Sequence, residues 1–98
     1  MFSVGQTVGV RCEIQGGAFS NEYLVSIETD EGILSGFADA EDVRPHSKDP
    51  SKGAIRATVV EVSANLVKVR IHGSFFTIAG GTTHFSYDWA NRNLEVSA

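Results

Sequence analysis

The chain contains few side chains whose type and spacing point to metal chemistry. Its histidines are His46, His72 and His84, and its single cysteine is Cys12. Zinc needs three or four ligands in a compact set, and two histidines twelve residues apart with one distant cysteine match no established ligand spacing. The sequence therefore predicts no metal site and no other cofactor.

Catalytic residues are not indicated either. Residues 84–89, His-Phe-Ser-Tyr-Asp-Trp, bring a histidine, a serine and an aspartate together only along the chain. A triad needs ordered hydrogen bonds from nucleophile to base to acid. Cys12 has no family motif around it and is expected to be a small buried core residue. Residues 80–83 lack the lysine of a phosphate-binding loop. We therefore predict a protein without enzymatic activity.

Acidic residues are concentrated at two points of the first half. They are Asp30, Glu31, Asp39, Glu41 and Asp42. Their spacing lacks the pattern and the closing glutamate of a calcium-binding EF-hand loop. We interpret them as solvated surface.

The aromatic residues are the more informative set. Phe75 and Phe76 are adjacent in a strand-like run, so one ring points to each face of the sheet and one ring leaves the core. An exposed apolar patch usually marks an interface. We therefore predict self-association, as a homodimer, through strands near Leu34, Phe75 and Phe76.

We predict a binding or assembly module, whose partner beyond a second copy is another protein or a small ligand. The alternative function is binding of a small molecule in a pocket between the two halves of the chain. Tryptophan and tyrosine are enriched at binding hot spots because they combine large area with a polar tip. For Trp89 the competing prediction is a second small core under the C-terminal corner. The loop at Gly16 and Gly17 is the candidate mobile lip. The candidate pocket residues are Phe19, Tyr23, Phe37, His84, Tyr87 and Trp89.

The elements that must position these residues follow from alternating apolar and polar residues. In residues 23–28 the side chains at 23, 25 and 27 share one face, which indicates a half-buried strand. Gly32 tolerates a positive φ and predicts a hairpin turn. On the return strand we expect Ile33, Ser35 and Phe37 to face the core. Residues 7–14 and 54–62 are predicted as further strands, the latter central.

The two halves of the chain follow one layout. Residues 4–44 and 54–98 each read as strand, turn, strand, glycine turn, strand and polar corner, and the proline-bearing linker 45–53 joins them. Asp39 is the expected N-cap of the first corner. We predict a single all-β domain over 1–98. Its architecture is an SH3-like small barrel or two packed β-meanders, built from two similar halves with short 3₁₀ or helical corners.

Residues 4–44 are similar to SH3-like small barrels. The shared pattern is V-x-V, then L-V-x-I, an acid-acid-glycine turn, and G-F followed by an acidic corner and Val43. The resemblance implies a barrel fold. It does not imply recognition of proline-rich ligands, because the A-L-x-D-Y start and the aromatic-rich groove of SH3 peptide-binding domains are absent. The whole chain also resembles short bacterial proteins of integron gene cassettes, which implies no activity.

The charge distribution bears on the class of partner. The net charge is −4; Glu13 to Asp42 hold eight acidic and no basic residues, and Arg44 to Arg70 hold six basic and two acidic ones. Nucleic-acid binding is therefore disfavoured, because such proteins are normally basic. A β-barrel that binds nucleic acid through the basic residues 44–70 is the least favoured alternative function. The acidic and basic lobes are either two solvated faces of one small barrel or surfaces that pair between neighbouring subunits, which would favour self-association.

Composition also bears on localisation. No apolar run approaches the ~20 residues of a membrane span, and the N-terminus lacks the pattern of a signal peptide. A single cysteine cannot form an internal disulfide. We therefore expect a cytoplasmic protein without membrane association.

Overall fold

The computed structural model describes residues 1–16, 21–75 and 82–96. Within these ranges a 3₁₀ turn spans Ala40–Asp42, and helix α1 spans Tyr87–Asn93. The predicted all-β fold with short helical corners is confirmed. The strands are β1 (Thr7–Gly16), β2 (Glu22–Thr29), β3 (Gly32–Asp39), β4 (Val43–Pro45), β5 (Lys52–Val62), β6 (Leu66–Ile71), β7 (Ser74–Phe75), β8 (Thr82–Ser86) and β9 (Leu94–Val96).

The strands form one curled antiparallel sheet in the order β7-β3-β2-β1-β5-β6-β8. At its centre β1 and β5 lie side by side, with Val10 opposite Ile55. The two remaining short strands pair across the halves, because β4 adds to β5 and β9 adds to β1. Each half of the chain therefore contributes a strand to the first strand of the other half.

The core lies on the concave face of this sheet. Every second side chain of a strand points to this face. Cys12 and Ile14 are buried, and Arg11 and Glu13, which alternate with them, are exposed. Burial of a side chain of this size contributes about 1.5–3 kcal/mol. The fully buried valines and isoleucines are Val8, Val10, Val25, Ile27, Ile55, Val59, Val67 and Val69.

The β2–β3 hairpin has the predicted glycine turn. Thr29 pairs with Gly32, which leaves Asp30 and Glu31 as a two-residue loop, and Gly32 has a φ of +131°. The Thr29 Oγ1 hydroxyl donates to the Gly32 carbonyl at 2.7 Å and accepts from the Glu31 N–H at 3.2 Å. These bonds hold the two acidic residues at the tip.

The predicted facing of β3 is wrong. Leu34 pairs with the fully buried Ile27, and paired residues share a face of the sheet. Leu34 therefore packs against the core, whereas Ile33 is 63% exposed. The core face continues through two small residues, Gly36 and Ala38, and Ile33, Ser35 and Phe37 lie on the opposite face. A shift of one residue exchanges the two faces of a strand.

The outward orientation predicted for Leu34 is wrong for the same reason. Its neighbour Ile33 is the exposed apolar residue of this strand. The predicted role of Leu34 in a dimer interface stays a prediction.

The first corner starts at Asp39, as predicted, but the side chain of Asp39 makes no capping hydrogen bond. β5 begins at Lys52 rather than at residue 54, and Gly53 packs against β4. A Cβ on Gly53 would collide with the Arg44 carbonyl oxygen and would lie 2.7 Å from Ile14 Cδ1. Only glycine therefore allows β4 to approach β5 at this point.

Helix α1, over the described ranges, is the longest helix and has seven residues. No helix in this part of the chain is long and apolar enough to cross a membrane.

Candidate functional site

A groove of about 340 Å³ lies between the tip of the β2–β3 hairpin and strand β8. It separates the two halves of the chain on the side of the sheet opposite the β1–β5 pair. Its lining residues are Thr29, Asp30, Glu31, Gly32, Ile33, Leu34, Leu66, Thr83, His84, Phe85, Ser86 and Trp89.

The edges of two strands line the groove. β8 contributes the consecutive residues 83–86, and β3 contributes 32–34. Because successive side chains point to opposite faces, consecutive residues reach one groove only where the strand presents its edge. Over the ranges that the structure describes, β8 pairs only with β6, and residues 32–35 of β3 pair only with β2. Main-chain N–H and C=O groups of these edges therefore face the groove without sheet partners among the described residues.

The floor of the groove is apolar and rigid. The ring of Phe85 stacks on Trp89, with centroids 4.2 Å apart and planes inclined by 25°. Leu34 packs half-buried against the same core. At the rim Ile33 and Leu66 are 63% and 40% exposed. A segment in the groove would thus contact buried rings below and exposed aliphatic side chains at its sides.

Trp89 fixes the two walls of the groove relative to each other. Its indole Nε1–H donates to the Glu28 carbonyl of β2 at 3.2 Å, and its backbone N–H donates to Ser86 Oγ at 3.2 Å. The Ser86 hydroxyl in turn donates to Asp30 Oδ2 at 3.1 Å. The start of α1 is therefore tied to the hairpin at two points, which preorganises the groove.

Acidic groups set the charge of the groove. Asp30 and Glu31 are exposed at one end, and no lysine or arginine is among the lining residues that the structure describes. His84 is exposed on the β8 wall opposite Lys68 of β6. The hairpin end of the groove is therefore electronegative.

The predicted pocket residues separate into two groups. His84 and Trp89 line the groove together with Leu34. Phe37 lines a different depression, of about 370 Å³, beside Glu22 and His72. The structure therefore joins two of the predicted pocket residues to one of the predicted interface residues.

Other predicted residues lie away from the groove or outside the described ranges. Tyr23 packs half-buried against the core. Tyr87 meets Phe2 edge-on, with ring centroids 5.7 Å apart. Phe19 and Phe76 lie outside the described residues, and only the backbone pairing of Phe75 with Gly36 is described.

Trp89 is 6% exposed and belongs to the main hydrophobic cluster rather than to a separate small core. It is also part of the groove, so the two predictions for this residue meet in one position.

Sequence reasoning missed Phe85, Leu66 and the two strand edges. Leu66 precedes the alternating residues of β6 and sits on their polar face, which was a usable signal. The strand edges leave no signal in the sequence, because the pairing of the whole sheet decides which strands lie at an edge.

Cys12 is buried as predicted. Burial foremost, and the nearby Glu95 carboxylate second, raise the pKa of the Cys12 thiol from its ordinary 9.0 to about 12. The thiol therefore stays protonated at neutral pH and is a poor nucleophile.

The acidic residues of the first corner form an exposed group. The carboxylate oxygens of Asp39, Glu41 and Asp42 lie within 4.8 Å of one another. Arg56 Nη1 lies 3.7 Å from Asp42 Oδ1, and Arg56 Nη2 donates to the Glu41 carbonyl at 3.4 Å. The guanidinium thus offsets part of this charge, consistent with a solvated surface.

Comparison of the chain with protein-family models, curated proteins and solved structures gave no match. The resemblances to SH3-like barrels and to gene-cassette proteins therefore stay predictions.

Proposed function

We propose that this protein is a non-enzymatic binding module that takes up an extended polypeptide segment in the groove between β3 and β8. The observation that carries the proposal is the pair of strand edges facing the groove over residues 32–34 and 83–86. An added strand would bond to these main-chain groups, as in other proteins that bind peptides by strand addition.

The floor supports the same function. In an extended segment every second side chain points the same way. Those that point inward would pack on Leu34, Phe85 and Trp89, and the others would face solvent. Strand β8 has five residues, so the fitting segment is about as short. Main-chain bonds would supply affinity, and the apolar floor would select the inward side chains.

A peptide titration followed by ¹H–¹⁵N NMR tests this function. The probe is the blocked heptapeptide Ac-TVTVTVT-NH2, and the control is the same peptide N-methylated at its valines, which removes those main-chain donors. We expect saturable shifts of the amides of residues 83–86 and 32–34 with the first peptide and at least tenfold weaker binding of the second. Equal binding of both peptides, or no shift at millimolar peptide, would refute strand addition.

Small-molecule binding is the second candidate. The volume of about 340 Å³ falls in the range of ligand pockets, and two predicted pocket residues, His84 and Trp89, line the groove. A fragment screen by NMR separates the two candidates. A small ligand would shift the Trp89 indole signal and leave solvent exchange of the β8 amides unchanged, whereas an added strand would slow that exchange.

Self-association is the third candidate, because a second copy also has strand edges to offer. The exposed side chains of Ile33 and Leu66 beside the groove support an interface. Sedimentation velocity at high micromolar concentration tests it, with Ile33→Lys and Phe76→Lys as variants. A concentration-dependent dimer that either substitution converts to a monomer would support self-association. A wild-type protein that stays monomeric at every concentration would exclude it.

A further inference from the structure

We infer that the segment bound in the groove comes from a different protein and carries lysine or arginine at the ends of its apolar stretch, so that one cation lies at the β2–β3 tip. This inference rests on the proposed strand addition. It adds the chemistry of the partner, which follows from the charges at the groove and from the strands that this chain itself can offer.

The first observation is a pair of exposed carboxylates that form no ion pair within the described residues, although Asp30 also lines a second depression together with Arg11, Lys52 and Arg92. Asp30 and Glu31 are both exposed at the hairpin end, and among the described residues only Arg56 and Asp42 form an ion pair. Asp30 accepts one bond from Ser86 through Oδ2, so Oδ1 is available for a cation. The turn bonds of Thr29 hold the two residues beside the groove.

The second observation concerns the rest of the lining. The remaining groove residues are apolar, hydroxyl-bearing or glycine, apart from the imidazole of His84. A lysine or arginine with an aliphatic stem packs along such surfaces and carries its charge to the rim. An acidic segment or a phosphate chain would instead meet like charge at the hairpin end.

The third observation excludes the basic strands of this chain as the occupant. Lys68 and Arg70 lie on β6, which pairs with β5 on one side and β8 on the other. Arg44 lies on β4, which has three residues and ends at Pro45, a residue without an N–H. Within the described ranges, then, no basic strand has a free edge that fits, and the occupant is a foreign segment.

Three blocked peptides test the inference: Ac-KTVTVTK-NH2, Ac-QTVTVTQ-NH2 and Ac-ETVTVTE-NH2. Because exposed ion pairs are individually weak, we expect the lysine peptide to bind about fivefold more tightly than the glutamine peptide at ~20 mM salt. The glutamate peptide should bind more weakly than both. The difference should largely vanish at about 1 M salt, where the Debye length is ~3 Å.

Matched variants locate the effect. The double change Asp30→Asn with Glu31→Gln should remove the preference for lysine, whereas Glu41→Gln with Glu61→Gln removes the same charge from exposed positions elsewhere and should leave it. Thermal unfolding of both double variants provides the folding check. Loss of the preference in the control pair as well would show a general charge effect and would overturn the inference.

The failure of the inference is distinguishable from the failure of the proposed function. If the glutamine and lysine peptides shift the same β8 amides with equal affinity, strand addition holds and the basic partner is refuted. If no peptide shifts them, both fail. If raising the protein concentration alone protects these amides from exchange, the occupant is a second copy and the foreign partner is refuted.

Discussion

The corners that follow β3 and β8 start alike and end differently. Asp39 and Ser86 have nearly the same backbone angles, with φ of −64° and −61° and ψ of 143° and 151°. The next N–H in each corner donates to an asparagine carbonyl, from Ala40 to Asn21 at 2.7 Å and from Tyr87 to Asn65 at 2.9 Å. Both corners therefore share a backbone hydrogen bond to the asparagine that directly precedes a neighbouring strand, β2 for the first corner and β6 for the second.

The corners differ in what their side chains add. The 3₁₀ turn has three residues and buries none of them, whereas α1 has seven and buries Trp89 and Ala90. Ser86 caps its helix and Asp39 caps nothing. The comparison teaches that backbone geometry alone suffices to turn the chain. The side chains of Ser86, which caps the helix, and Trp89, which packs in the core, make the second corner part of the groove wall.

The sharpest way to break this comparison is Trp89→Ala. Loss of a buried tryptophan leaves a large cavity and should lower the free energy of unfolding by about 3–5 kcal/mol. Val43→Ala, at the end of the first corner, should cost roughly 1–2 kcal/mol because about two methylenes are lost. Urea unfolding measures both free energies. Far-UV circular dichroism is the signal, because Trp89 is the only tryptophan and its replacement removes tryptophan fluorescence. Equal losses would contradict the unequal anchoring of the corners.

A smaller effect is expected for Trp89→Phe. Phenylalanine keeps a ring on Phe85 but removes the indole donor to the Glu28 carbonyl. An unpaired, partly buried carbonyl should cost about 1–3 kcal/mol. The same urea series measures it, and exchange of the hairpin amides should speed up because one of the two hydrogen bonds that tie the hairpin to the start of α1 is lost. Unchanged stability would show that Trp89 acts by packing alone.

The caps provide the next comparison. Ser86→Ala should cost about 1 kcal/mol, because the Trp89 N–H loses its acceptor. Asp39→Ala should change stability by no more than about 0.5 kcal/mol, as for an ordinary surface residue. Asp30→Ala controls for the bond from Ser86 to Asp30. A large loss of unfolding free energy in Asp39→Ala would show that the Asp39 side chain stabilises the fold through a contact other than those described.

The smallest effect at neutral pH concerns Cys12. Val10 on β1 opposes Ile55 on β5 at the centre of the sheet. Two residues further along each strand stand Cys12 and Ala57. Cys12→Ala therefore places an alanine at the same position of both central strands. In the wild type the thiol should resist a disulfide reagent such as DTNB at pH 7 unless the protein is unfolded.

The pH dependence of Cys12 has a defined sign. Because its pKa is raised in the folded state, the protonated thiol contributes its full stability below the ordinary value of 9.0, and this contribution is lost as pH rises toward about 12. Stability should fall between these values in the wild type and less steeply in Cys12→Ala. Parallel pH profiles of the two proteins would contradict this assignment.

Much of the fold was predictable because the signals are local. Alternation identified the buried face of β2, and Gly32 marked the hairpin turn. A short helical or 3₁₀ corner was predicted in each half, and α1 is the corner of the second half. These features depend on residues that are neighbours in the chain.

The candidate site was only partly predictable. His84 and Trp89 were predicted as pocket residues, and both line the groove. The facing of β3 was mispredicted because Ile33 and Phe37 are more hydrophobic than Gly36 and Ala38, and cross-strand pairing with β2 decided the outcome.

The amino-acid sequence by itself determined that this chain is a β protein with hairpin turns, a proline-bearing linker and helical corners, because strand periodicity and turn chemistry act over a few residues. Only the tertiary structure decided that the sheet curls so that the edges of β3 and β8 face one groove, and that Trp89 joins its walls. Edges and facing depend on pairing between segments far apart in the chain, and no local pattern specifies that pairing.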